Sequence, residues 1–190
     1  AIVAGNKNPD CAGPLVDALF TPFVFVYGPG GEQTARLKRR AELSADSAPY
    51  RGTDLDGNPL RFAVVSDEAA LADEELLQHK TLVCFGSAEE NAVTRLLADR
   101  RRPGASYLQS HEDQELTHVC LQPSPFAVDR YVVICETSAG ADVLPPIRLR
   151  WHTDWVVYRN RNGEAVQRGT FDREWESESR PRAAWQIMEP

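Results

Sequence analysis

The stretch that decides the fold is residues 81–97, TLVCFGSAEENAVTRLL. Residues 81–85 form a β-favouring run without polar alternation, the pattern of a strand covered on both faces in a parallel sheet. Gly86 lets the chain turn. Ser87 followed by Glu90 fits a capping box, with acids in the first turn of the helix that follows. Val93, Leu96 and Leu97 then fall at helical spacing, while Glu89, Arg95 and Asp99 can face water. A strand feeding a helix through a glycine turn is half of a βαβ unit, and such sheets bind ligands beyond the carboxyl ends of their strands. Gly86, Ser87 and Asn91 are therefore the residues of this unit nearest any ligand.

A similar unit lies upstream. Residues 23–27, FVFVY, predict a strand, Gly28-Pro29-Gly30-Gly31 follows, and residues 32–43 predict a helix on Ala35, Leu37 and Leu43. Backbone N–H groups in such a loop can cradle an anion. Gly28, Gly30 and Gly31 thus join Gly86, Ser87 and Asn91 as candidate ligand-binding residues. The loop is neither GxGxxG nor a Walker sequence, and a tight turn alone accounts for its glycines. Residues 45–59 predict a surface loop, 60–65 a strand and 68–79 a helix entered from Ser66-Asp67. The cationic run ending in Pro103-Gly104 is a strong helix stop. Beyond it, strands are predicted at 106–108, 117–122, 130–136, 154–158 and 166–171, with Asn162-Gly163 as a hairpin turn. The expectation is an α/β fold: a flavodoxin-like or Rossmann-like three-layer sandwich with a mainly parallel sheet, followed by antiparallel strands in the second half. Residues 1–22 form a leading segment, 23–176 a single α/β domain and 177–190 a tail.

A chain of 190 residues can bury one sizeable core, and 42% hydrophobic with 26% charged residues is the balance of a soluble globular protein. The net charge of -7 argues against a general nucleic-acid surface. Lys38-Arg39-Arg40 and Arg100-Arg101-Arg102 lack interleaved aromatics and suit solvated helix ends. No apolar run approaches the roughly 20 residues a bilayer span requires, so no membrane span is expected. The sequence begins at Ala1 without a basic-then-apolar segment, so no signal peptide is expected in it. Cys84, Cys120 and Cys135 lie in apolar strand-like runs and Cys11 in a loop, with no CxxC pair. They make no zinc spacing with His79, His111, His118 or His152, and neither metal nor cofactor is expected. Two cysteines on neighbouring strands could be bridged if their separation allowed it.

Catalytic motifs are missing. A GxSxG elbow would need glycine two residues after its serine, but Ala88 and Glu89 follow Ser87, and Ser138-Ala139-Gly140 lacks the preceding glycine. Capping suits Ser87 better than attack on a substrate. His152 stands two residues from Asp154, a proximity that spacing alone does not turn into acid/base chemistry. The acidic groups at 67–68, 73–75 and 112–113 have no EF-hand pattern. Trp151, Trp155, Trp175 and Trp185 suit a core edge or a partner surface.

Five stretches in order, GPLVDALFTPFVFVYG (13–28), TLVCFGSAEENAVTRLL (81–97), PSPFAVDRYVVI (123–134), DWVVY (154–158) and GTFDREW (169–175), carry a family resemblance. Together they resemble a C-terminal domain of secreted bacterial proteins that look like prolyl-oligopeptidase-type or esterase-type α/β-hydrolases. In that pattern Gly86, Ser87, Glu90 and Asn91 match the central turn. The resemblance implies that catalysis belongs to a separate hydrolase domain, since no catalytic serine, acid or histidine carries onto this chain. It implies a non-catalytic accessory domain that docks on a hydrolase or peptidase domain or another subunit, in an extracellular or periplasmic location. Two rivals stand beside it: a small-ligand binding module at the strand-end glycine turns, and an enzyme whose serine, acid and histidine meet only in space.

Overall fold

A computed structural model describes residues 7–9, 11–29, 33–47, 62–100, 102–111, 114–138, 146–147 and 151–175. Its centre is β3 (Thr81–Phe85), buried along its whole length. Hydrophobic side chains on both faces demand cover on both sides. β3 lies between β1 (Phe23–Tyr27) and β5 (Tyr131–Thr137), parallel to each, and β1 pairs in parallel with β2 (Val64–Ser66). β4 (Leu116–Pro123) runs antiparallel between β5 and β6 (Trp155–Arg159), and β7 (Ala165–Gly169) returns along β6. Among the described residues these seven strands form one sheet of order β2-β1-β3-β5-β4-β6-β7. The expected α/β architecture, parallel first and antiparallel later, is the one observed.

Helices cover both faces. α1 (Thr34–Ala45) places Leu37, Ala41 and Ala45 with Phe25, Val83, Phe85 and Val133 on one face. α2 (Asp67–Ala72) and α4 (Ala92–Arg95) bring Ala70 and Val93 to Val24, Leu82 and Ile134 on the other, with α3 (Glu74–His79) alongside through Leu76 and Leu77. The reversal of direction after β2 puts successive crossovers on opposite faces, because right-handed connections leave no other choice. Cys11, Leu15 and Ala18 from the leading segment enter the α1-side core, the last two from a 3-10 helix (Leu15–Leu19).

Several expectations change at element scale. Residues 68–79 make two helices, broken at Asp73, whose carboxylate caps the second by accepting from the Glu75 and Leu76 N–H groups at 3.0 and 3.1 Å. Residues 106–108, expected as a strand, belong to α5 (Ala105–Ser110). The strand expected over 60–65 is shorter, β2, with residues 62 and 63 outside it; residues 60 and 61 lie outside the described residues. The basic clusters are not simply solvated. Arg40 is buried and donates to Thr117 Oγ1 at 2.9 Å, tying α1 to β4, while Arg100 donates to the Pro123 carbonyl at 2.7 Å. Arg101 lies outside the described residues.

No disulfide joins the four buried cysteines. Cys84 and Cys120 both oppose Ile134, so a strand lies between them, and Cys135 joins the core on the other face. Burial pushes the Cys11 thiol up to about 12 and raises Cys84 and Cys135 well above the ordinary range. They pack as hydrophobes. No described helix is long and apolar enough to cross a membrane.

Candidate functional site

A doubly wound sheet places its crevice where the strand order reverses, here between the carboxyl ends of β1 and β3. Gly28 and Gly86 follow those strands. The Gly28 N–H reaches the Phe85 carbonyl at 3.4 Å and the Gly86 N–H the Cys135 carbonyl at 3.1 Å. Gly86 has φ +115°, a conformation glycine adopts without steric cost. A Cβ on Gly28 would collide with the Glu90 carbonyl. The turn over residues 86–91 therefore lies directly against the end of β1.

The polar groups of that turn are engaged with one another. The Ser87 N–H donates to Glu90 Oε2 at 2.8 Å, the backward half of the capping box, while the Ser87 hydroxyl donates to Glu89 Oε2 at 2.8 Å. Asn91, fully buried, is the helix cap: Oδ1 accepts from the Val93 and Thr94 N–H groups at 3.0 and 3.1 Å. Its Nδ2 donates to the Phe85 carbonyl at 3.1 Å. The helix thus starts after Asn91, four residues later than the Ser87 pattern predicts. Arg95 closes the turn by donating to the Ala88 and Glu89 carbonyls at 2.9 and 3.1 Å. The structure brings Gly28, Gly86, Ser87 and Asn91 together; Gly30 and Gly31 lie outside the described residues.

Two features of this end of the sheet escaped the sequence reading. Asp67, buried at the start of α2, accepts from the Ala92 N–H at 2.5 Å and so caps α4 from a different element. Its Oδ1 and the Thr94 hydroxyl have no hydrogen-bond partner among the described residues. Further along, β4 starts where β5 ends, and this sets His118 opposite Glu136. His118 Nδ1 lies 3.3 Å from Glu136 Oε2, and Arg102 pairs with Glu136 Oε1. Burial pushes the Glu136 carboxyl up, but His118 and Arg102 outweigh it and hold it below the ordinary 4.5. Polar residues alternating along THVCLQ, at His118, Cys120 and Gln122, were the available signal.

Hydrolytic chemistry finds no assembled machinery among the described residues. Asp154 is buried and spent on Lys7 Nζ at 2.6 Å and the Phe171 N–H at 2.7 Å, while His152 is exposed. Ser110 touches His111 Nδ1 at 3.2 Å, yet its hydroxyl lies 2.8 Å from the Ser106 carbonyl, as in an ordinary helix back-bond. No group of three His, Cys, Asp or Glu suited to a metal ion occurs among the described residues. The chain matches no protein-family model, no curated protein and no solved structure.

Proposed function

We propose that this chain is a non-catalytic accessory domain that associates with a serine hydrolase or peptidase polypeptide or a larger assembly. The observation that carries the reading is the mutual engagement of the polar groups in the turn after β3. Its polar side chains, Ser87, Glu90 and Asn91, hydrogen-bond within the turn, and the Glu90 carbonyl sits where a ligand would approach Gly28. Polar groups spent on one another in that turn are not presented to a ligand, which turns attention to the outer surface. Phe20 and Val128, 81% and 64% exposed, stand at the opposite end, next to the starts of β1 and β5.

The test is native mass spectrometry of the chain purified from its own source, with a fluorophosphonate probe added. A stoichiometric complex with a second polypeptide that takes the label, weakened in Phe20→Ser, supports the proposal. Labelling of this chain itself, or a bare monomer, overturns it. A second reading, a small-ligand module at the strand ends, draws on the unpartnered Oδ1 of buried Asp67. A retained small molecule that Asp67→Asn releases would favour it.

A further inference from the structure

We propose that Arg102, Glu136 and His118 form an acid-released latch that holds α5 on the antiparallel half of the sheet. α5 is six residues long and buries only Leu108, against Leu116 and Val157. One apolar side chain is a weak anchor for a helix. The segment leading into it is held in two further ways. A Cβ added at Gly104 would come within 2.9 Å of Val157 and 3.2 Å of the Trp155 ring, so the Gly104 backbone lies close against β6, and Arg102 reaches down to Glu136. Glu136 is therefore the charged tie between this cover and the sheet.

Among the described residues, the titratable and charged groups around Glu136 are few. Arg102 comes from the approach to α5, His118 and the Cys120 thiol from β4, and the Cys135 thiol from its own strand on the other face, with Arg40 beyond it. β6 sets Val157 and Trp155 opposite His118 and Cys120, and the titratable groups of α5, Tyr107 and His111, stack on each other. With Glu136 ionised, the Nδ1 hydrogen of His118 points at Oε2 and Arg102 at Oε1. A proton on the carboxylate removes the charge that both donors share and weakens the tie to Arg102 from an ion pair to a bond to a neutral acceptor. The sign follows from the depressed folded carboxyl: the contribution is complete above the ordinary 4.5 and is lost as pH falls through the lower folded value. Cover and sheet then part locally, before the core strands open.

Hydrogen exchange by mass spectrometry on the intact chain, corrected for intrinsic rates, tests this between neutral and acid pH. Protection over residues 102–111 should fall at least about tenfold on acidification, the scale of one lost bond to a charged group, while β1, β3 and β5 stay protected. Glu136→Gln should show the fast exchange already at neutral pH and no further acid step. Arg102→Gln, at a position nearer the surface, should do the same and decides the matter if the first variant does not fold. Loss of protection over 102–111 only together with the core strands, or an unchanged acid step in the folded variants, overturns the latch.

Discussion

Gly28→Ala sets a Cβ against the Glu90 carbonyl and 2.9 Å from Asn91 Cα, backbone atoms that cannot rotate aside as a side chain would. Overpacking of this kind costs about 3 kcal/mol or more where no side chain can yield. Urea denaturation should show that loss, and an alanine variant as stable as the parent would mean that the turn does not sit on β1. Asn91→Ala removes the cap of α4 and the bond to Phe85, about 2 kcal/mol together. Asn91→Ser keeps a capping oxygen without adding a charge, loses the Nδ2 donor and should fall between. This ordering of the three proteins in thermal melts separates a structural Asn91 from one that serves only a ligand. The type of these residues was legible in the sequence, since Gly-Ser followed by Glu and Asn after an apolar strand points to a turn and a cap. Which residue caps was not. Ser87 and Asn91 both suit the role, and the close approach of β1 to the Glu90 carbonyl, a contact across more than 60 residues of chain, determines where helical geometry begins.

At the scale of elements, the continuous apolar runs at 23–27 and 81–85 became strands with those bounds, because a strand buried on both faces leaves an unambiguous mark. The run at 106–108 misled because three residues carry no period, and its helix depends on packing against β4 and β6. The joining of the leading segment to the last hairpin left no mark at all. Lys7 Nζ binds both Asp154 and the Phe171 carbonyl, lies 5.0 Å from the Trp175 ring centre, and its backbone N–H reaches the Arg173 carbonyl at 2.8 Å. Asp154 is 3% exposed at its side chain. Lys7→Met leaves that carboxylate buried without its cation, a change that costs about 3–5 kcal/mol. Asp154→Asn combined with Lys7→Met should recover part of the loss, because neither charge is then stranded. Chemical denaturation of the four proteins in a double-mutant cycle measures it. Strict additivity of the two substitutions would show that the pair is not coupled.

The whole molecule unites two kinds of sheet through β5, which pairs in parallel with β3 and antiparallel with β4. Either half could in principle fold alone, since β2-β1-β3 with its helices and β4-β6-β7 are each contiguous in the sheet. The core argues otherwise. One apolar cluster holds Phe25, Leu37 and Phe85 from the parallel half together with Val119, Tyr158, Phe171 and Trp175 from the antiparallel half, and Leu15 joins it from the leading segment. Backbone bonds from Leu15 to Thr153 at 2.9 Å and from Val16 to Trp151 at 3.2 Å add a second connection. Shared burial of this kind gives neither half a complete hydrophobic face of its own, so unfolding should be one cooperative transition. Intrinsic probes report on the halves separately. Tryptophan occurs only from residue 151 onward, whereas every described α-helix lies before residue 111. In a Trp185→Phe background, tryptophan fluorescence comes from Trp151, Trp155 and Trp175 and follows the antiparallel half, while the helical band of circular dichroism follows mainly α1–α4 of the parallel half. In urea the two signals should move through one midpoint with one slope. A fluorescence transition that finishes while the helical band persists would divide the chain into two folding units and place their boundary at the pairing of β5 with β3 or with β4.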